Sequence, residues 1–294
     1  MTLELENIVR FFGTKLAVKD LNLKIESGEV LGLLGHNGAG KTTTIRMILG
    51  LLKQDSGSIR WNNETINRNN LKIGYLPEER GLYPKDKVYK QLKYFSKLEG
   101  LSNKEAEIAI NRWLRELDME QYRDMYAGDL SKGNQQKVQL IAALVHDPDL
   151  VILDEPFSGL DPINTEMLKE VIRKLIKLKK TVIFSSHRME NVEEFCEKIC
   201  ILKNGRMVLY GDLSEIKGSY GYKNVIIDTD KDITEKLKDL KVDYRKFKSS
   251  YHLTVENIEK IQPFFLDIIN DKQLHSLIIK EPTLNQIFVE KVGE

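Results

Sequence analysis

A glycine-rich loop between an apolar strand and a helix constrains the fold of this chain more than any other feature. Residues Gly35–Thr42 read GHNGAGKT and fit the pattern G-x-x-x-x-G-K-[ST]. The segment before the loop, EVLGLLG, is a continuous apolar strand, and the segment after it, KTTTIRMILGLL, has helical character. Glycines let backbone N–H groups turn inward onto phosphate oxygens, because no Cβ stands in the way. The loop therefore predicts an α/β fold that binds a nucleoside triphosphate.

The same loop supplies the candidate nucleotide ligands. Lys41 can reach the β- and γ-phosphates, and the Thr42 hydroxyl can ligate Mg²⁺. The predicted ATP-binding residues of this segment are Gly35, His36, Asn37, Gly38, Ala39, Gly40, Lys41, Thr42 and Thr43. A glycine-rich turn that matches the pattern by accident is the alternative, and the flanking strand and helix argue against it.

Two acidic residues end a second apolar strand, DLVILDEP, at Asp149–Pro156. Ligands of parallel α/β sheets lie at the carboxyl ends of the strands. Asp154 is predicted to hold the Mg²⁺ shell, directly or through water, and Glu155 to polarise the attacking water. In isolation the pattern is typical of a strand that ends in an acidic turn. After a phosphate-binding loop the catalytic interpretation is favoured.

The order of predicted elements divides the chain into a core and a terminal module. Alternating residues 3–25 predict antiparallel strands, whereas several continuous apolar segments predict parallel strands covered on both faces. A charged stretch with helical period predicts a helical subdomain at about 86–145. The glycine-rich segment Lys217–Asn224 marks a boundary. We therefore predict a P-loop NTPase core at 1–218 and a small α+β domain at 222–294.

Composition excludes several classes of protein. The chain has 45 basic and 44 acidic residues without a basic block, so its net charge indicates no nucleic-acid partner. Cys196 and Cys200 lie among apolar residues, which favours buried thiols over a metal pair and excludes a disulfide framework. The longest apolar run, Leu140–Val145, is far short of the ~20 residues that span a bilayer. With no signal-peptide pattern at its start, the chain is expected to be soluble and cytoplasmic.

Six motifs together resemble the nucleotide-binding subunit of ATP-binding-cassette (ABC) transporters, over residues 1 to about 218. The glycine loop and the acidic strand are two of them. LSKGN at Leu130–Asn134 stands in the place of the family's LSGGQ, SGLD at Ser158–Asp161 resembles its D-loop, and His187 ends a strand where the family has its switch histidine. Phe12, which precedes a glycine, is similar to the aromatic residue that stacks on adenine. The resemblance implies an ATPase that uses ATP and Mg²⁺.

The resemblance also implies that two such subunits pair head to tail, with each ATP held between the glycine loop of one and the LSKGN segment of the other. The implied contacts to the second subunit's ATP are Ser131, Gly133, Asn134 and Asp161. The pair is either a homodimer or a heterodimer with a related ATPase. A plain capped helix is the alternative, because Ser131 is also a good N-cap.

His187 and Phe12 each have an ordinary interpretation beside the functional one. A lone histidine at a strand end is usually just hydrogen-bonded. Here a neutral imidazole can reach the γ-phosphate and the attacking water, so His187 and Glu155 are the candidate catalytic residues. Phe11 is adjacent to Phe12, and in an alternating strand one of the two faces the core. We choose Phe12 as the stacking residue.

One residue departs from the family's pattern at a metal-binding position. Where the family has a glutamine after a strand, this chain has Glu78, in IGYLPEERGLYP. We expect Glu78 to join Thr42 and Asp154 around Mg²⁺ and to bind the cation more strongly than a neutral amide does. The LSGGQ variant, with Lys132 and Asn134, keeps the serine and the second glycine, so we expect function to survive.

LPEERGLYP, LSKGNQQKVQ and EPTLNQIFVEKV resemble one subgroup of the family, the stand-alone bacterial ATPases of sodium, drug or peptide exporters with a small C-terminal domain. This resemblance implies a separate transmembrane permease as partner and a peripheral location at the inner face of the cell membrane. The candidate permease contacts are Gly81, Leu82 and Tyr83, with an ordinary loop as the alternative.

The sequence is also compatible with two other functional classes. One is a non-transport ABC ATPase that acts on ribosomes or DNA, against which a single cassette without sustained heptads argues. The other is an ATP-binding regulator without turnover, against which Glu155 and His187 argue, although Glu78 leaves it some room. The terminal module shows no catalytic constellation. We expect it to stabilise the dimer rather than to sense a ligand.

Overall fold

Strands and helices alternate along the part of the chain that the computed structural model describes, residues 2–66, 71–79 and 81–293. The strands are β1 (Thr2–Phe12), β2 (Lys15–Glu26), β3 (Val30–Leu34), β4 (Ser56–Trp61), β5 (Glu64–Thr65), β6 (Ile73–Leu76), β7 (Leu150–Asp154), β8 (Thr181–Ser185), β9 (Lys198–Lys203), β10 (Arg206–Asp212), β11 (Lys223–Thr229), β12 (Asp243–Phe247), β13 (Ser250–Val255) and β14 (Leu274–Lys280). The helices are α1 (Lys41–Ile48), α2 (Val88–Leu98), α3 (Asn103–Glu116), α4 (Lys132–Leu144), α5 (Pro162–Lys177), α6 (Met189–Phe195), α7 (Leu213–Ser219), α8 (Thr234–Asp239), α9 (Ile258–Ile269) and α10 (Leu284–Val292).

The larger sheet has a parallel centre. Its strands lie in the order β5-β4-β1-β2-β10-β9-β3-β8-β7-β6, and the five from β9 to β6 pair in parallel. Every residue of β3, β7 and β8 is buried, as continuous apolar strands covered on both faces require. The register places Asp154 beside Ser185, where β7 and β8 end. The carboxyl edge of this parallel sheet therefore carries polar side chains from adjacent strands.

An antiparallel arm completes the same sheet. Strand β1 pairs with β2 on one side and with β4 on the other, so that Leu3 lies opposite Ile25 and Trp61. Alternate residues of these strands are buried in one cluster with β3 and α1. This confirms the antiparallel N-terminal strands predicted from the alternation of residues 3–25.

Helices α2, α3 and α4 form the insertion between β6 and β7, and they pack on one another. Their apolar stripe is buried at Leu92, Ile110 and Trp113. Helix α3 begins with a capping box, in which Ser102 accepts from the N–H of Glu105 and Glu105 accepts from the N–H of Ser102. Together with the parallel sheet, this insertion confirms the predicted fold class.

Residues 212–294 form a second compact unit. Its antiparallel sheet has the order β12-β13-β11-β14, and helices α7 to α10 accompany it. The unit buries its own apolar cluster, which includes Val225, Leu253 and Phe265. Pro263 lies in the second turn of α9. This small α+β unit confirms that part of the predicted fold class.

The structure also bears on membrane-spanning helices, metal clusters and the two cysteines. Within the described ranges, no helix is long and apolar enough to cross a bilayer, and no cluster of three or more His, Cys, Asp or Glu side chains suits a metal ion. Cys196 and Cys200 are buried free thiols, as predicted, and burial raises the pKa of Cys200 to about 12.

Candidate active site

The loop between β3 and α1 has a backbone that only glycine allows. Gly38 and Gly40 have φ angles of 82° and 108°. A Cβ at Gly35 would lie 2.6 Å from the carbonyl oxygen of Leu202, and a Cβ at Gly40 would lie 2.7 Å from that of Ala17. Gly35 and Gly40 are thus also required by close packing under the loop.

The amino end of α1 opens into this loop. Its N-cap is Gly40, which has no side chain to cap the helix, and its first turn holds no acidic residue. Such an end presents backbone donors and a positive dipole, which is the arrangement that binds phosphate. Lys41 is buried, and its Nζ donates to the carbonyl oxygens of Gly35 at 2.6 Å and His36 at 3.4 Å. The loop, the helix end and the ammonium group therefore fit the phosphates of ATP.

The other predicted loop residues lie around this cradle. Ala39 is buried under the loop, Thr42 and Thr43 are half-buried in the first turn of α1, and His36 and Asn37 are exposed. Thr42 follows Lys41 directly, so its hydroxyl lies at the same helix end. The structure thus groups all nine predicted loop residues.

Asp154 and Glu155 are buried at the carboxyl end of β7, with 2% and 8% of their surface exposed. Asp154 accepts a hydrogen bond from the Ser185 hydroxyl. The N–H of Glu155 lies 3.1 Å from the Ser185 carbonyl oxygen and 3.2 Å from its Oγ. Ser185 therefore fixes both acids from the neighbouring strand.

Glu155 has a left-handed backbone, with φ of 48°, which is uncommon for a residue with a Cβ. Such conformations persist where the surroundings enforce them, and they are frequent at functional sites. The turn places the Glu155 carboxylate against His187, whose Nδ1 lies 2.7 Å from Oε2. The His187 side chain is 63% exposed, whereas that of Glu155 is only 9% exposed. The structure thus brings the two predicted catalytic residues into direct contact.

Tyr75, on β6, lies in the same region. Partial burial and, secondly, the charge of Asp154 raise the pKa of Tyr75 to about 12. The charge of Glu78, the third predicted metal ligand, contributes in the same direction. Glu78 is exposed in the bend after β6. The three residues therefore belong to one electrostatic neighbourhood at the ends of β6 and β7.

Phe12 lies at the end of the β1–β2 hairpin, and 49% of its surface is exposed. The Arg10 guanidinium lies 5.1 Å from the centre of its ring. Phe11 is 43% exposed, so the expectation that one of the two phenylalanines faces the core is wrong. The pairing with β2 shifts register between Arg10 and Phe11, which breaks the alternation there. Both rings are therefore available at this surface.

The LSKGN segment forms the start of α4. Ser131 is the N-cap and accepts from the N–H of Asn134 at 3.3 Å, so the ordinary capping role is present. Ser131 is exposed, and Gly133 and Asn134 are half-buried. Helix α4 packs on β6, α2 and α3, whereas α1 packs on β2. The position of Ser131 is thus set by the helical insertion and not by the glycine loop.

Asn164, which sequence reasoning missed, joins two of the predicted second-subunit contacts. Its Nδ2 lies 2.4 Å from where a Cβ on Gly133 would be, and it donates to Asp161 at 2.6 Å. Asp161 caps α5 by accepting from the N–H of Asn164, and this hydrogen bond lowers the pKa of Asp161. Gly133 is therefore needed for close approach to the start of α5.

Family models match both units of the chain. A model described as ABC transporter matches residues 18–158, and one described as the C-terminal domain of ATP-binding proteins like DrrA1-3 matches residues 211–292.

Three relatives carry related names. The ABC transporter ATP-binding protein YhaQ of Bacillus subtilis is 45% identical over 99% of this chain and 98% of its own. The linearmycin resistance ATP-binding protein LnrL of the same organism is 32% identical over 99% and 98%. The Nod factor export ATP-binding protein I of Burkholderia lata is 35% identical over 71% of this chain and 70% of its own.

Solved structures share the fold of the larger unit. An ATP-binding subunit of an ABC transporter superposes with a TM-score of 0.70 at 31% identity, over 75% of this chain and 94% of the other. A dimeric ATP-binding cassette in a post-hydrolysis state, bound to ADP and phosphate, superposes with a TM-score of 0.65 at 25% identity, over 72% and 98%.

Proposed function

The chain belongs to the ABC transporter ATP-binding proteins, and on that premise we propose that it powers a separate export permease through ATP-dependent closure of a head-to-tail pair of subunits. Binding and hydrolysis of ATP are the activities of this family. The observation that carries the proposal is the contact of Glu155 with His187 at 2.7 Å, at the same sheet edge from which the glycine loop leaves.

The loop after β3 is proposed to bind the phosphates of ATP. The free N–H groups of α1 and the Lys41 ammonium would bind the β- and γ-phosphates, since both lie where no acidic side chain of the first turn opposes them. Phe12 would stack on the adenine ring. The residues that would hold Mg²⁺, with phosphate oxygens and water completing its shell, are Thr42, Asp154 and Glu78. Bound there, Mg²⁺ neutralises phosphate charge during the reaction.

Glu155 is proposed to activate the attacking water. Its buried carboxylate is the acceptor that can orient a water molecule for attack on the γ-phosphate and take its proton. His187 holds this carboxylate through Nδ1, and its exposed ring leaves Nε2 free to face the nucleotide or a second subunit. Ser185 holds the Glu155 backbone, so the carboxylate has little freedom to turn away.

Glu78 has a specific test, because its charge distinguishes it from the family's glutamine. Glu78→Gln should raise the Mg²⁺ concentration that gives half-maximal ATPase activity, since a carboxylate attracts the cation more than an amide does. An unchanged Mg²⁺ dependence would refute its place in the metal shell.

Closure of two subunits would place the α4 start of one on the ATP of the other. Ser131 and the first N–H groups of α4 offer donors and a positive dipole for the γ-phosphate. The dimeric cassette that superposes on this chain supports such pairing. Closed by ATP and opened by hydrolysis, the pair is a two-state device.

Light scattering tests closure directly. The Glu155→Gln protein should keep ATP intact, and its 34.0 kDa mass should double when ATP and Mg²⁺ are added. Adding Ser131→Arg should abolish the doubling, because the side chain would fill the space of the partner's γ-phosphate. Ser102→Arg is the matched control, since it removes another serine cap, on α3, and should leave closure intact.

Several outcomes would contradict the proposal. A Glu155→Gln protein that binds ATP and stays monomeric refutes pairing of two copies. Equal loss of closure with Ser102→Arg and Ser131→Arg refutes the contact at LSKGN.

The terminal unit is proposed to stabilise the pair, so a chain ending at residue 211 should need more ATP for half-maximal closure. An unchanged requirement refutes that role.

The names of two relatives support export. One has export in its name and another has resistance to linearmycin, which suits removal of a substrate from the cell. We place the chain at the cytoplasmic face of the membrane, bound to the permease. Tyr83 and Gly81 are exposed and Leu82 is half-buried in the loop before α2, where a permease segment can reach them.

A further inference from the structure

Two buried glutamines lie one turn apart on α4. Gln136 is 7% exposed and Gln139 is 6% exposed. A spacing of three residues puts both on one face of the helix. Gln136 Nε2 donates to the carbonyl oxygen of Pro156 at 3.0 Å, and Gln139 Nε2 donates to that of Glu79 at 3.3 Å. The same helix face is thus bonded to two loops.

Each of these loops carries a carboxylate of the proposed site. Pro156 directly follows Glu155, and Glu79 directly follows Glu78. The loops leave β7 and β6, which are paired in parallel, so they lie side by side at the carboxyl edge of the sheet. Both amide groups therefore act on the backbone next to a proposed catalytic or metal-binding residue.

Stability alone is a poor reason for amides at these two positions. A buried amide costs free energy unless its groups are hydrogen-bonded, and each hydrogen bond returns only a small net gain. Gln139 Oε1 is buried and has no partner among the described residues. An apolar side chain would avoid that cost. The hydrogen bonds of the two amides hold α4 at a fixed distance from the two loops.

Helix α4, which carries both glutamines, begins at Ser131. Helix α4 runs without interruption from Lys132 to Leu144, so a displacement of its first turn moves Gln136 and Gln139 as well. We propose that Gln136 and Gln139 are positioning residues, through which contact of Ser131 with the partner's ATP sets the Glu155 and Glu78 carboxylates for hydrolysis. This inference rests on the proposed pairing of two subunits.

Gln135 provides a matched control on the same helix. Its Nε2 donates to the carbonyl oxygens of Ala127 and Leu130, at 3.1 and 3.3 Å. These carbonyls belong to the segment that leads into α4, and neither carboxylate loop is involved. Replacement by methionine keeps the length and flexibility of each glutamine and removes its donor.

The experiment compares Gln136→Met/Gln139→Met with Gln135→Met in two backgrounds. With Glu155 intact, kcat of the double variant should fall about tenfold or more at saturating Mg²⁺, because small displacements of reacting groups are costly. KM for ATP should stay within about threefold, since the glycine loop is untouched. In the Glu155→Gln background, the ATP concentration for half-maximal closure should stay within about twofold. Gln135→Met should leave kcat within about twofold.

The predicted signature is closure without turnover, which a merely structural role does not produce. If kcat falls in parallel with closure, or falls equally in Gln135→Met, the glutamines only support the fold and the inference is overturned. Normal kcat in the double variant also overturns it. A Glu155→Gln protein that stays monomeric refutes the pairing of two copies on which the inference rests, whereas normal pairing with unaltered turnover refutes only the role of the glutamines.

Discussion

At the scale of single residues, Ser185 organises both acids of the site. Its hydroxyl donates to Asp154 and accepts from the N–H of Glu155. Sequence reasoning assigned functions to the acids and to His187 and passed over this serine. The available signal was its place at the end of a buried strand, since carboxyl ends of parallel strands share one edge.

Ser185→Ala should lower kcat of the ATPase roughly tenfold. A hydrogen bond to a charged group is worth about 1.5–3 kcal/mol, and its loss frees the carboxylate of Asp154, whereas the Ser185 carbonyl oxygen still accepts from the N–H of Glu155. Steady-state ATPase rates at saturating ATP and Mg²⁺ measure the effect. Ser186→Ala is the control, because Ser186 is equally buried but accepts from the N–H of Arg188. Similar losses in both variants would refute the role of Ser185.

At the scale of elements, the site depends on how closely α4 approaches β6. A Cβ at Gly74 would lie 2.3 Å from the carbonyl oxygen of Ala143 and 2.8 Å from Pro148 Cγ. The backbone of the helix therefore rests almost on the strand. This contact keeps α4 near the loops that its two glutamines hold.

Gly74→Ala should destabilise the chain by about 1–3 kcal/mol, because the added methyl group meets backbone that has no room to shift. Urea unfolding followed by circular dichroism measures the change. Gly218→Ala, in α7, is the matched control, since its Cβ would meet no atom within 4 Å and alanine favours the helix. Unchanged stability in Gly74→Ala would show that the packing adapts.

At the scale of the whole molecule, the proposed function requires a membrane partner. In our proposal this partner is a permease that is a separate chain. Tyr83 is the aromatic residue of the candidate contact, and its exposed ring is stacked on Phe95 at 6.3 Å between centroids.

Leu82→Glu/Tyr83→Glu should abolish co-purification of the permease, because carboxylates would be buried against an apolar partner segment. ATPase activity of the isolated subunit should change little. Tyr94→Glu is the control, as Tyr94 is a similarly exposed aromatic residue on α2. Retained assembly in the double variant would exclude this loop as the contact.

Local patterns explain what the sequence by itself determined. The glycine loop, the buried strands and the Ser131 cap each depend on a few successive residues, because the spacing of apolar residues, helix capping and a positive φ are local properties. Strands β4 and β10 were not predicted, because β10 is only half-buried and β4 begins with an exposed serine and glycine. The exposure of both Phe11 and Phe12 escaped prediction, because a register shift is set by the partner strand.

Only the tertiary structure decided how separate segments meet. Three contacts of the site join residues that are far apart in the sequence. Ser185 contacts Asp154, 31 positions away, and His187 contacts Glu155, 32 positions away. Gln139 contacts Glu79, 60 positions away. No local pattern fixes such pairs, since they follow from strand order, register and the approach of α4 to β6. The sequence thus determined which chemistry the chain carries, and the parallel sheet edge determined which groups act together.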